Sequence, residues 1–201
     1  MGYWEGHLAD GRSEAMRRLL DWMEPLAGVT VLDAGCGHGA GAVELARRGA
    51  RVLACDRDAA RAAAVRRRAR ERGLALSLIV ADLEGPGPWS APAMVWWCWE
   101  LFEHLSFEQR RRLFRRMEES RASALYFAVR VESRLGALVR PLLGAGGAED
   151  RDELELPTLD PVPLLREIHL ETDLRLERTE TLRRRNSALA IARMLRPAGG
   201  S

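Results

Sequence analysis

The chain has 201 residues, 47% hydrophobic and 30% charged, with a formal net charge of +2. This suits a single globular domain long enough to bury a full core, and no apolar run is long enough to span a bilayer. All 31 basic residues are arginine. The runs RRRARER (66–72) and RRRLFRRM (110–117) fall in helical patterns offset by acids elsewhere, so they read as solvated helix faces and not as a nucleic-acid surface.

The N-terminal stretch MGYWEGHLADGRSEAM lacks the apolar core of a secretory signal, so a cytoplasmic location is the expectation, with peripheral membrane contact left open. Its Tyr3, Trp4 and His7 stand in a Gly-rich polar segment that could fold over a bound ligand or simply fray. Residues 13–26 form an amphipathic helix with Ser13 as its cap and Met16, Leu19, Leu20 and Met23 as its stripe. VTVLDA (29–34) is a strand, a glycine-rich turn follows, and 41–49 is a helix closed by Gly49.

RVLACD (51–56) is the second strand, 58–72 a helix stopped near Gly73, and LSLIVAD (76–82) the third strand. After the turn-rich GPGPWSAP comes the fourth strand, AMVWWCW (93–99), with Val95, Trp97 and Trp99 on one face and Trp96 and Cys98 on the other. Ser106 caps a helix over 106–120, and ALYFAVRV (124–131) is the fifth strand. Alternating runs at 168–178 and 187–195 read as two last strands in an antiparallel edge or hairpin, the second with a short helix as its alternative; His169 falls in the first. Strands alternating with helices of this length predict an α/β fold, a mostly parallel sheet covered on both faces.

Chemistry concentrates at VLDAGCGHGAG. Gly35, Gly37 and Gly39 follow a strand and open a helix, where a ligand can approach main-chain N–H groups. The dinucleotide fingerprint GxGxxG fails, because position 42 is Ala. Asp33 at the strand end suits a cationic amine better than a diphosphate. Asp56 ends the second strand, where a carboxylate can accept both hydrogens of a ribose diol. Asp82 ends the third and can accept from an adenine amino group, with Leu83 or Leu53 flanking the ring. Cys36, Cys55 and Cys98 show no CxxC and no spacing with His, so neither a metal site nor a disulfide framework is expected.

On these residues the sequence resembles the class I S-adenosylmethionine-dependent methyltransferases over roughly residues 29–131: VLDAGCGHG, LACD and IVADL are similar to the family's first three motifs. The resemblance implies a Rossmann-like seven-stranded sheet with a reversed hairpin at its end, and S-adenosylmethionine as cofactor. It places Asp33, Gly35, Cys36 and Gly37 at the donor's methionine portion, Asp56 at the ribose, and Asp82 and Leu83 at the adenine; Arg57, beside Asp56, is a further cofactor-binding candidate, and Trp99, at the end of the fourth strand, is the tryptophan nearest the ligand. Two departures stand out: His38 where Thr or Ser is commoner, and PAMV where the fourth strand usually opens with Asp. A narrower likeness, to the magnesium-protoporphyrin IX O-methyltransferases, runs through DGRSEAMRRLLDWMEPLAG and, more loosely, SRLGALVRPLLGAGG and RRRNSAL.

The acceptor side is expected where the fourth strand opens. His104 is the candidate base, and Glu100 and Glu103 could orient its imidazole or bind the donor's amine. Leu135, Leu138 and Val139, at helical spacing in the break after the fifth strand, could wall a hydrophobic acceptor or pack as an ordinary helix. The organisation read is one methyltransferase domain over 1–201, with an N-terminal helical cap (1–28) and an acceptor-side insert or lid (132–165). The expected acceptor is a small hydrophobic natural product, a porphyrin carboxylate among the options. A nucleic-acid or protein methyltransferase and a non-catalytic donor-binding scaffold are the alternatives, although no Asn/Asp-Pro-Pro-Tyr-like motif follows the fourth strand. The sequence leaves the oligomeric state open.

Overall fold

A computed structural model describes residues 11–85, 94–132, 157–183 and 187–198. Helix α1 (Gly11–Asp21) leads into β1 (Thr30–Ala34), α2 (Ala40–Arg47), β2 (Arg51–Asp56), α3 (Ala59–Glu71) and β3 (Ser77–Val80). Then come β4 (Val95–Trp99), a single 3-10 turn (Phe102–His104), α4 (Phe107–Glu119), β5 (Ala124–Glu132), α5 (Pro161–Glu171), β6 (Arg175–Arg183) and β7 (Ser187–Leu195). The strands make one seven-stranded sheet in the order β3-β2-β1-β4-β5-β7-β6. The first five are parallel, and β7 runs antiparallel to both β5 and β6. This is the Rossmann-like sheet that the sequence pattern predicts, with the last two strands as the reversed hairpin.

The central strands β1, β4 and β5 are largely apolar on both sides because both sides are covered, whereas the edge strand β6, RLERTETLR, is largely polar and exposed. On one face Val31, Val52, Trp97 and Tyr126 pack with Leu19 and Leu20 of α1, Leu45 of α2 and Val65 of α3. On the other, Leu32, Trp96, Cys98 and Phe127 pack with Phe114 and Met117 of α4 and with Leu164 and Ile168 of α5. The alternation expected along MVWWCW is therefore real, and Trp96 and Trp97 are core residues with no exposed surface. Among the described residues no helix is long and apolar enough to cross a membrane.

The helices start where local chemistry satisfies their first amides. Asp58 accepts from Ala60 N and Arg61 N at α3. At α4, Ser106 and Gln109 form a reciprocal capping box. Helix α2 is different: Gly39 precedes it in a left-handed conformation (φ 82°) and no side chain caps it. That open end lies at the carboxyl edge of the sheet.

Several boundaries depart from the sequence reading. Helix α1 begins at Gly11, ahead of Ser13, and ends at Asp21, short of 26; Pro25 disfavours helical backbone at Glu24, so the helix does not extend through it. Strand β3 stops at Val80; Ala81 N still reaches Asp56 O at 3.1 Å, and Asp82 lies beyond the ladder. The run read as a strand from 168 begins as α5, so His169 is helical, and its Nδ1 lies 2.9 Å from Leu174 O at the helix exit. The signal for that helix is Asp160 as cap with Pro161 in the first turn. Leu164 and Ile168, one turn apart, then bury against the sheet. The run 187–195 is a strand, β7.

Candidate active site

The site is assembled at the carboxyl ends of the parallel strands, where open α/β sheets take their ligands. Between β1 and α2 the chain turns through Gly35 (φ 70°), Gly37 (φ 52°) and Gly39 (φ 82°). A Cβ at Gly35 would come within 2.8 Å of Leu101, and one at Gly39 within 2.6 Å of Val65. Both positions thus need glycine for backbone shape and for space. Two bonds tie the turn to β2: Cys36 N donates to Cys55 O (2.8 Å) and Gly37 N to Asp56 Oδ2 (2.8 Å).

Asp33 is 2% exposed, and its Oδ2 has no hydrogen-bond partner. Burial, more than the nearby Asp56 charge, lifts this carboxyl to about 7, against a lowering by the Ala42 amide. A buried carboxyl with an idle oxygen is a receptor for a cation. Asp56 is engaged on both oxygens, by Gly37 N and by Asp58 N at 2.9 Å, and each oxygen keeps a second acceptor position. Asp82 is exposed at the rim and accepts from Glu84 N at 3.0 Å. Burial raises the thiols of Cys36, Cys55 (to about 11) and Cys98, which stay protonated at neutral pH.

On the far wall Trp99 stacks on Trp97, ring centroids 5.8 Å apart and planes 9° from parallel. Glu100 follows in a left-handed conformation, φ 47°, and its Oε2 accepts from Arg130 Nη2 at 2.7 Å. Glu103 Oε1 accepts from Arg130 N at 3.0 Å, and burial, aided by the Glu100 charge, raises this carboxyl to about 7. The structure thus turns Glu100 and Glu103 toward Arg130, and neither is hydrogen-bonded to the His104 imidazole. His104 is exposed at the rim. Partial burial lowers its pKa and the charges of Arg130 and Arg61 add to this, against the pull of Glu100. It is therefore mostly neutral at pH 7 and able to accept a proton.

One cavity of about 490 Å³ joins these groups, a volume usual for small-molecule sites. Asp33, Gly35, Cys36, Gly37, Asp56, Arg57, Asp82, Leu83, Trp99, Glu100 and His104 all line it, so every sequence-predicted donor-side residue meets in one place. Leu53, the alternative neighbour for the ring, packs instead into the core beneath. The sequence reading missed Arg61, Glu84, Leu101, Leu105, Gln109 and Leu113, and it took Met16 for core alone. Leu101, Leu105 and Leu113, four and eight residues apart, carried a findable apolar spacing; Arg61 and Met16 carried no signal beyond their helices. The candidates Tyr3, Trp4, His7, Leu135, Leu138 and Val139 lie outside the described residues. Among the described residues no group of His, Cys, Asp and Glu could hold a metal.

Sheet order, the glycine turn and acids at or just beyond the ends of β1, β2 and β3 together match the class I methyltransferase fold. The comparisons with known proteins agree. Residues 31–121 match the family described as "Methyltransferase domain". No curated protein matches by sequence. Among solved structures, magnesium protoporphyrin IX methyltransferase from Synechocystis PCC 6803 with bound SAH superposes with a TM-score of 0.77 at 18% identity, covering 98% of this chain and 89% of that one. N-methyltransferase NodS from Bradyrhizobium japonicum WM9 gives 0.65 at 19% identity, covering 92% and 96%. Geranyl diphosphate methyltransferase in complex with SAM gives 0.69 at 17% identity, covering 92% and 85%.

The residues present fit S-adenosylmethionine. The idle Oδ2 of buried Asp33 suits the donor's ammonium, the spare acceptor positions of Asp56 suit a ribose diol, and Leu83, Leu101 and Leu105 offer apolar surface to the base.

Proposed function

We propose that this protein transfers the methyl group of S-adenosylmethionine to an oxygen of a small, hydrophobic acceptor, a carboxylate of a tetrapyrrole-like compound being the best fit. The observation that carries methyl transfer is the single cavity in which the glycine turn and all three strand-end acids face Trp99 and His104. The tetrapyrrole class is supported by the likeness to the Synechocystis enzyme, which extends over nearly the whole of both chains. A cytoplasmic location belongs to the same proposal.

When bound, S-adenosylmethionine would supply an electrophilic methyl carbon whose leaving group is its own sulfur, so that the acceptor oxygen needs only its lone pair. The chain supplies position. Asp33 holds the ammonium end, Asp56 the ribose, and the amides around Gly37 fix the turn between them. Trp99, backed by its stack on Trp97, gives a rigid apolar wall that keeps water from the reacting atoms. A carboxylate acceptor is already ionised at neutral pH and needs no base. A hydroxyl or phenol acceptor would use the neutral imidazole of His104.

Calorimetric titration with S-adenosylmethionine and S-adenosylhomocysteine, then methyl transfer to acceptors that include magnesium protoporphyrin IX, tests this reading. Absence of donor binding would end it. Turnover of another acceptor, with none of the porphyrin, would remove only the tetrapyrrole assignment.

A further inference from the structure

Beneath the turn that leaves β4 lies a charged cluster the transfer chemistry does not itself use. Arg130 is 2% exposed. It sits at the carboxyl end of β5, two residues beyond Ala128, the partner of Trp99 in the β4–β5 register. It makes two separate connections to the same turn. Its Nη2 donates to Glu100 Oε2 at 2.7 Å, and its backbone N–H, which β4 is too short to pair, donates to Glu103 Oε1 at 3.0 Å. Glu100 N in turn donates to Ala128 O at 2.9 Å. The turn is thus stitched to β5 three times within four residues.

The turn needs that restraint. Glu100 holds φ 47°, a region that favours glycine, so the conformation persists only where its surroundings enforce it. The same turn carries Trp99, Glu100, Leu101 and His104 into the cavity wall, and Leu101 packs where a Cβ on Gly35 would stand. A shift of the turn therefore reaches the donor loop directly. Core packing does not explain the arginine. Its Nη1 and Glu103 Oε2 are both buried without hydrogen-bond partners, and a well-packed apolar side chain is commonly no worse in such a place.

We propose that Arg130 is a positioning residue for methyl transfer, acting through Glu100 and Glu103 to lock the Trp99–His104 turn against β5 and so fix the wall that faces the donor. This rests on the donor-site reading above. The charged and titratable groups around the guanidinium are Glu100 and Glu103 on the turn, His104 beside them and, within the same cavity as Glu100, Asp33.

The test is calorimetric titration of the full chain with S-adenosylhomocysteine at pH 6, 7, 8 and 9, on wild type, Arg130→Met, Arg130→Lys, Glu100→Gln and the double variant Arg130→Met/Glu100→Gln, with thermal melts in parallel. Arg130→Met is expected to weaken binding at least tenfold at pH 8, and the loss should deepen as pH rises through 7 and Glu103 ionises without the neighbouring guanidinium. Arg130→Lys should recover most of the affinity. Adding Glu100→Gln to Arg130→Met should recover part of it, because the carboxylate that the guanidinium held is replaced by a neutral amide. Arg130→Met binding within twofold of wild type, with an unchanged pH profile, overturns the proposal. So does simple additivity of the two changes. Should Arg130→Met fail to fold, Arg130→Lys and Glu100→Gln decide: wild-type affinity and pH profile in both overturns it. A wild-type chain that binds neither S-adenosylmethionine nor S-adenosylhomocysteine fails the donor-site reading first, and this inference with it.

Discussion

Asp33 on β1 and Trp97 on β4 are register partners, and each ends in a buried polar atom without a hydrogen bond, Oδ2 of the acid and Nε1 of the indole. Both converge on Gly41, at the start of α2. A Cβ there would lie 2.7 Å from the indole nitrogen and 3.3 Å from the carboxylate oxygen. Helix α2 can approach the sheet this closely only because residue 41 has no side chain.

Gly41→Ala follows from that contact. Alanine gains about 1 kcal/mol of helix propensity over glycine, but overpacking against two large buried side chains costs about 1–3 kcal/mol. The expected outcome is a melting temperature unchanged or lowered by several degrees, together with at least a tenfold loss of S-adenosylhomocysteine affinity as Asp33 is displaced. A melting temperature above wild type with full affinity would show that the contact is not restrictive.

Asp33 also predicts how donor binding depends on pH. Under the proposed function its carboxyl, raised to about 7 by burial, must ionise to pair with the donor's ammonium. Affinity should therefore rise with pH up to about 7, by as much as tenfold per unit, and level off above it until the donor amine deprotonates. Asp33→Asn should bind weakly and lose that rising limb. Titration in buffers of different ionisation enthalpy would detect the proton released below pH 7.

The apo protein should show the opposite trend in stability. Asp33 and Glu103 hold protons in the folded state up to about 7. Their unfolded counterparts ionise near 4. Between those values the folded state binds more protons, so stability falls as pH rises from about 4 to 7 and the slope flattens above. Glu44, Asp58, Glu84, Glu118 and Glu171 are shifted down by arginine partners or, for Asp58, chiefly by backbone N–H groups. They contribute stability present above their unfolded pKa and lost as pH falls below it. Calorimetric melts should peak near pH 5, and a peak above pH 8 would contradict the assignment.

Asp56 joins the turn to the position proposed for the ribose, so its removal should act twice. Asp56→Ala loses the bonds from Gly37 N and Asp58 N along with the contact to the diol. At about 1.5–3 kcal/mol per hydrogen bond to a charged group, a hundredfold or greater loss of S-adenosylhomocysteine affinity is expected. A loss below tenfold would move the ribose elsewhere.

His104 lines the rim without hydrogen bonding to either nearby glutamate. For the proposed carboxylate acceptor, His104→Ala should leave S-adenosylhomocysteine affinity within threefold and the transfer rate within tenfold of wild type. A fall of a hundredfold or more, with loss of a pH limb below 7, would make His104 a general base and point to a hydroxyl or phenol acceptor.

The sequence by itself determined the strand–helix alternation through β5, the glycine turn and the identity of Asp33, Asp56 and Asp82. Those signals are local: hydrophobic periodicity, glycine where φ must be positive, and acids at strand ends. It misplaced α5, whose Asp160–Pro161 start was hidden in an acidic stretch, and so put His169 on a strand. Only the tertiary structure decided what the glutamates after β4 do. Residues 100 and 103 read as candidates to orient His104, yet Arg130 claims both from 27 to 30 positions away along the chain. No periodicity links a turn to the far end of the neighbouring strand, because the parallel register that joins them is set by packing on both faces of the sheet. For the same reason the raised carboxyls of Asp33 and Glu103 were invisible in the sequence: burial comes from the helices laid over them, and it is burial that holds their protons.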